Sequence, residues 1–288
     1  MQKIALLGLG TMGSGMAANW LKKGFQLAVF NRTAAKAAPF AALGARVAVT
    51  PADAAVDADV ILAMVTDDAA SREVWVGGDG ALMSARPGAI AIESSTVSPG
   101  WVAELAGYVK AHECDFLDAP VTGSKDIAAA GELVMFVGGD TATLEKARPV
   151  LAAISRSVLP LGPAGSGATW KLINNMLLAV HIAAVSEGLA LAEKAGFDLK
   201  GSAERILASG TSSPIVRMKM PRFVEGRYGE ADFALRHMSK DLGYALALAG
   251  RAGVDVTTVR AAASLYREAE ARGLGDLDFA EVLKTVAE

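Results

Sequence analysis

Lys171 opens the stretch Lys171-Leu172-Ile173-Asn174-Asn175-Met176-Leu177, and apolar residues continue to Ala192 with few polar interruptions. Burial disfavours the charged form of a lysine and lowers its pKa, which brings its ammonium toward use as a proton donor near neutral pH. Asn175 is four residues on and shares a helix face with it, and Asn174 is three on and close by. On these residues alone, a lysine snorkelling from the helix start to water fits equally well.

Gly8-Leu9-Gly10-Thr11-Met12-Gly13 offers a second chemistry. In this spacing the first glycine permits a tight turn, the second lets a phosphate reach the backbone, and the third lets helix pack on strand. A pyrophosphate then sits at the positive end of the helix. The pattern is weak alone. Here it follows an apolar run, Lys3–Leu9, opens a helix over 12–23, and precedes a second strand, Leu27–Phe30. That context predicts dinucleotide binding. The second strand ends Phe30-Asn31-Arg32-Thr33, with no acid to accept from a ribose 2′-hydroxyl. Arg32 suits a 2′-phosphate, and Asn31 and Thr33 can donate to it. NADP is therefore expected in preference to NAD.

Two further loops follow predicted strands. Pro120-Val121-Thr122-Gly123-Ser124 has backbone N–H groups and two hydroxyls able to cradle a carboxylate. Glu93-Ser94-Ser95-Thr96 ends a strand where a nicotinamide would lie; Ser95 then faces substrate, and Thr96 either bonds the cofactor or caps a helix. Arg217, Lys219 and Arg222 read as surface charges rather than a substrate lure. His181, in the apolar helix, reads as a hydrogen-bonded core residue.

These groups need a scaffold. The chain has 288 residues, 52% hydrophobic and 20% charged, which suits two globular domains. A net charge of −3 gives no footprint for nucleic acid or an anionic membrane. Cys114 is the sole cysteine, and the three histidines lie at no metal-ligand spacing, so no metal is expected. The N-terminus has no signal-peptide layout, which gives a cytoplasmic expectation. Further strands are expected over Ala45–Val49, Val60–Val65, Ala89–Ile92, Phe116–Leu117 and Leu133–Val137. Alternation with helices predicts an α/β, doubly wound parallel sheet of the Rossmann type. Past Gly162-Pro163 almost everything reads helical. The predicted organisation is 1–163, a nucleotide-binding domain, and 164–288, an all-α domain for substrate and dimerisation. A long helix over 168–195 links them, apolar nearly all round and so buried. Its Asn174, Asn175, His181 and Glu187 argue against a membrane span.

Four ordered segments resemble the β-hydroxyacid dehydrogenase family over essentially the whole chain. They are Gly8–Gly13 with Met16-Ala17-Ala18-Asn19, Asp118-Ala119-Pro120-Val121-Thr122-Gly123, Gly165-Ser166-Gly167 with Lys171, Asn174 and Asn175, and Lys240-Asp241-Leu242. The resemblance implies a Rossmann domain followed by a helical domain. It implies that Lys171 is the acid–base residue, that residues 122–124 hold a substrate carboxylate, and that Asn175 positions substrate. Met64, Val65, Thr96 and Lys240 match positions at the cofactor. Asn31-Arg32-Thr33 and Ser124-Lys125 look most like the NADPH-dependent glyoxylate/succinic semialdehyde reductase branch. Thr122 stands where serine is commoner, Ser124 where many members have a second glycine, and Thr66 where many have proline. The expected substrate is a small carboxylate-bearing aldehyde or its hydroxy acid, and the expected assembly a homodimer or homotetramer. Competing readings are an NAD-dependent 3-hydroxyisobutyrate or tartronate semialdehyde dehydrogenase, an imine reductase and a non-catalytic NADP-binding module. Lys171 argues against the last two.

Overall fold

The computed structural model describes residues 2–226 and 231–287. The chain divides into two compact units, Met1–Lys171 and Leu172–Glu288.

The first unit is built on a nine-stranded sheet. Its strands are β1 Lys3–Leu7, β2 Gln26–Phe30, β3 Arg46–Val47, β4 Val60–Ala63, β5 Ile90–Glu93, β6 Asp115–Asp118, β7 Val121–Thr122, β8 Leu133–Gly139 and β9 Ser155–Gly162. The spatial order is β3-β2-β1-β4-β5-β6-β8-β7, with β9 on β8. The helices here are α1 Thr11–Lys22, α2 Ala38–Ala42, α3 Pro51–Ala55, α4 Asp68–Val76, α5 Pro99–Ala111, α6 Lys125–Ala130 and α7 Thr141–Leu151. Strand pleating sends alternate residues to opposite faces. Ile4, Leu6, Val60, Leu62, Ile90 and Ile92 pack with Met16, Trp20 and Val150 on one face. Ala5, Leu7, Ile61, Ala63 and Ala91 pack with Trp75, Trp101 and Leu105 on the other. Both faces being covered explains why these strands are unbroken apolar runs rather than alternating ones.

The expected doubly wound parallel sheet is found in β1 to β6, and an antiparallel portion joins it beyond them. β8 runs antiparallel to β6 and β7, and only β9 restores a parallel pair. Neither β7 nor β9 was expected from sequence. Among the described residues β9 pairs only with β8; it is largely exposed and carries Pro160, which an outer strand tolerates because one side of its ladder is unused.

The long helix α8 is Ser166–Lys194, which begins in the first unit and continues in the second. Its composition alone would allow a membrane crossing, with a mean hydropathy of 1.5 over its most apolar window. The expectation that it is buried all round does not hold. Ala179, Ile182 and Leu189 join the helical core, whereas Leu177 is 51% and Leu191 72% exposed. His181 is exposed too, so it is not the core residue expected.

The second unit adds α9 Leu199–Ala208, α10 Pro214–Glu225, α11 Leu235–Ala252, α12 Thr257–Ala269 and α13 Leu283–Ala287. Its core gathers Val216, Met220, Phe223, Leu242, Tyr266 and Phe279. An ionic cluster lies within it. Lys219 is 2% exposed and donates to Asp278 Oδ2 at 2.8 Å and Asp232 Oδ2 at 3.1 Å; Arg222 donates to Asp232 at 2.9 Å. Asp278 also accepts from the N–H groups of Asp232 and Ala280. Lys219 and Arg222 are therefore internal ties between α10 and two loops, not the surface charges expected. Their sequence context shows cations near prolines and gives no sign of distant carboxylates.

Candidate active site

The C-terminal ends of the parallel strands carry most of the expected site residues of the first unit. After β1 the chain turns at Gly8, whose φ of +110° suits glycine, and a side chain there would run into the carbonyl oxygen of Met64. Gly13 packs against the Gly8 carbonyl. Gly10 precedes α1 and offers no capping side chain, and the first turn of α1 holds no acid. Nothing lies within 4 Å of where a Gly10 Cβ would be. Uncapped N–H groups, a positive helix end and open space beside the backbone fit a dinucleotide pyrophosphate. Leu9, Thr11 and Met12 complete this turn.

Asn31 braces the turn from the end of β2. Its Oδ1 accepts from Leu9 N at 2.9 Å, and its Nδ2 donates to Thr33 O at 2.9 Å. Its expected role as a direct phosphate donor is thus modified: the carboxamide holds two loops together and leaves one N–H to spare. Arg32 and Thr33 are exposed, and Arg32 makes no ion pair or hydrogen bond among the described residues. A cation held at a strand end with no carboxylate beside it fits a 2′-phosphate.

The ends of β4 and β5 are tied by a buried acid. Glu93 is fully buried and accepts from the Ser71 hydroxyl, from Trp75 Nε1 at 2.9 Å and from Ser95 N at 2.8 Å. Burial pushes its carboxyl up. Ser95 in turn accepts from Val65 N at 2.8 Å, which fixes Met64 and Val65 beside the Gly8 turn. Ser95 is 1% exposed, and its hydroxyl is engaged inside the scaffold by the Val65 N–H. Thr96 is half-buried and is not a helix cap: Ser98 caps α5 by accepting from Trp101 N.

Beyond β6, Thr122 is half-buried and Gly123 exposed, with a φ of +146°. Ser124 caps α6, accepting from Ile127 N at 3.4 Å, so part of its expected anion-binding capacity is engaged. Asp118, the last residue of β6, is fully buried. Its Oδ1 accepts from Gly165 N and its Oδ2 from Ala168 N, both at 2.7 Å. It thus ties the start of α8 to the sheet. Burial pushes its carboxyl up, and the backbone N–H groups partly offset this. Lys171, one turn along α8 from Ala168, is 9% exposed.

In the second unit, Asn174 Nδ2 donates to Asn175 Oδ1 at 3.0 Å, and Asn175 Nδ2 donates to Asp241 Oδ2 at 2.6 Å. Lys240 Nζ lies 2.9 Å from the other oxygen of Asp241 and over the Tyr244 ring. Three of the expected residues are therefore one polar chain around Asp241, which is 1% exposed.

Sequence reasoning gave no role to Asp118, Asp241 or Glu93. The available signal was an acid inside an apolar segment, since a buried carboxylate must find hydrogen-bond donors.

Comparison with known proteins identifies the family. Residues 3–162 match the family described as the NAD binding domain of 6-phosphogluconate dehydrogenase. Residues 165–286 match the NAD-binding family of NADP-dependent 3-hydroxyisobutyrate dehydrogenase. The chain belongs to the β-hydroxyacid dehydrogenase family. Within that family it is similar to glyoxylate/succinic semialdehyde reductase 1 of Arabidopsis thaliana, 33% identical over 99% of this chain and 98% of the relative. It is also similar to the NAD-dependent L-serine dehydrogenase of Pseudomonas aeruginosa, 35% identical over 99% of this chain and 97% of the relative. The solved Mycobacterium tuberculosis 3-hydroxyisobutyrate dehydrogenase with L-serine superposes with a TM-score of 0.90, at 33% identity and full coverage of both chains. The protein is an NAD(P)-dependent hydroxyacid dehydrogenase or reductase, with a Rossmann-type first part and a helical second part.

Proposed function

We propose that this family member uses NADPH to reduce a small aldehyde bearing a carboxylate, with Lys171 as the acid–base group. The observation that carries the cofactor choice is Arg32, exposed at the end of β2 and without a carboxylate partner among the described residues. When bound, NADPH supplies the hydride to the carbonyl carbon. The uncapped start of α1 would hold the pyrophosphate, with Met64, Val65 and Thr96 alongside. Lys171 Nζ would pass a proton to the carbonyl oxygen as negative charge develops there, which completes the hydroxyl of the product. Thr122 Oγ1 and the N–H groups of Gly123 and Ser124 would hold the carboxylate, the Thr122 N–H being turned to Val134 in the β7–β8 ladder. Following the resemblance, Asn174 and Asn175 would orient substrate and Lys240 would lie toward the cofactor; Asn175 and Lys240 are each held by Asp241.

Arg32→Ala is expected to weaken NADPH by about 1.5–3 kcal/mol, the worth of one hydrogen bond to a charged group. NADH should be nearly unaffected, because it lacks the phosphate. Cofactor titrations by fluorescence check this, and equal losses for both cofactors refute the assignment. The Pseudomonas aeruginosa relative is named for NAD, so the same titration separates NADPH reduction of an aldehyde from NAD-dependent oxidation of a hydroxy acid.

The carboxylate requirement has its own check. Binding energy from a remote group lowers the barrier by orienting the reacting carbon. Succinic semialdehyde or glyoxylate should therefore be reduced far more efficiently than a neutral aldehyde of equal length. Comparable kcat/KM for both would refute the cradle.

We also infer a homo-oligomer. Leu177, His181, Ala184, Gly188 and Leu191 are exposed and recur at spacings of four and three, which puts them on one face of α8. An apolar helical stripe of this kind supports close packing by a second copy. Sedimentation equilibrium should find a dimer or tetramer at micromolar concentration; a monomer there contradicts it.

A further inference from the structure

Asp118 is a buried acid with no part in the chemistry outlined above, and its bonds lie between two of the pieces that chemistry needs. It ends β6, and the chain continues through Ala119 and Pro120 directly into Thr122-Gly123-Ser124. Its two oxygens take the N–H groups of Gly165 and Ala168 at the start of α8, and Lys171 follows three residues after Ala168. One carboxylate therefore joins the loop proposed to hold the substrate to the helix turn that carries the proposed proton donor.

The joint is built for a carboxylate. Gly138, the β8 residue paired with Asp118, would drive a Cβ into Asp118 Oδ1 and to within 2.9 Å of Ser166 N. A Cβ at Gly167 would lie 2.8 Å from Asp118 O and 2.9 Å from its Oδ2. Two glycines thus clear the space in which sheet, carboxylate and helix meet. No cation pairs with Asp118 among the described residues. Its negative charge is met by backbone N–H groups at the positive end of a 29-residue helix. Two bonds to different oxygens fix both the height and the rotation of the first turn. A single neutral cap would hold the height and leave the rotation looser.

We propose that Asp118 is a positioning residue: through α8 it sets Lys171 relative to the Thr122–Ser124 loop. This rests on Lys171 being the acid–base group, so the test separates the two ideas. Misplacement of a catalytic group by about 1 Å can cost on the order of 100-fold. Asp118→Ala should lower kcat by about 10- to 100-fold. KM for the aldehyde should change less than kcat. Asp118→Asn, which keeps one acceptor oxygen, should fall between Ala and wild type.

The deciding readout is a double-mutant cycle with Lys171→Ala. If Asp118 acts through Lys171, adding Asp118→Ala to Lys171→Ala should leave the residual kcat within about twofold, because coupled residues are strongly non-additive. An equal fold-loss in both backgrounds overturns the proposal, and so does a loss of NADPH affinity that tracks the loss of kcat. If Lys171→Ala itself keeps near wild-type kcat, the acid–base reading fails instead. Should Asp118→Ala give no folded protein, the same cycle is run with Asp118→Asn and judged by the same two outcomes.

Discussion

Lys171→Ala is expected to lower kcat by about 10²–10⁴-fold, the range for removing a positioned acid or base. The ammonium acts only as the carbonyl oxygen gains charge, so kcat and kcat/KM should fall together, the signature of an interaction made in the transition state. NADPH affinity should move little. The glycine turn and Arg32 lie at the ends of β1 and β2, more than a hundred residues earlier in the chain. Lys171→Arg should rescue poorly, because a guanidinium is bulkier and gives up its proton far less readily. Asn175→Ala should be milder, since that side chain orients rather than donates. A Lys171→Ala enzyme that keeps more than about a tenth of wild-type kcat would place proton transfer on another group or on water.

A large loss of stability is expected from the ionic cluster of the second unit. Lys219→Met leaves Asp278 fully buried with its closest cation gone; Arg222 Nε is 3.9 Å away. Stranding a buried charge in this way typically costs about 3–5 kcal/mol. Adding Asp278→Asn removes the stranded charge; the N–H groups of Asp232 and Ala280 bond different oxygens of Asp278, so one of these two bonds survives on the remaining oxygen, and its partner's loss costs less than the stranded charge. The double variant should therefore be more stable than Lys219→Met alone. Urea unfolding monitored by circular dichroism measures both. A loss below about 1 kcal/mol for Lys219→Met, the scale of an exposed pair, would show that the cluster is effectively solvated.

What the sequence made legible follows from how local each signal is. The β1 turn and α1 were readable because three glycines, an apolar strand and a helix sit within one short segment. The proposal of NADP rests on an absence visible in the sequence, the missing acid beside Arg32. The strands buried on both faces announced themselves as continuous apolar runs. β9 did not, since Pro160 and an exposed outer position remove that pattern. The composition of α8 showed an apolar helix and could not show which face lacks a partner, so Leu177, His181 and Leu191 were expected inside. The roles of Asp118 and Asp241 escaped for a different reason. Their partners lie 47, 50 and 66 residues away, and nothing local marks such bonds. Lys219 looked like a surface charge for the same reason, its partner Asp278 being 59 residues distant.

The most direct test of the account is the rate at which the purified protein oxidises NADPH, and separately NADH, in the presence of succinic semialdehyde and of glyoxylate. Saturable turnover is expected with NADPH, with kcat/KM for the cofactor at least about tenfold above that for NADH, the equivalent of about 1.4 kcal/mol. The corresponding hydroxy acid should accumulate in step with cofactor loss. No turnover of either aldehyde, or a clear preference for NADH, would contradict the proposed function.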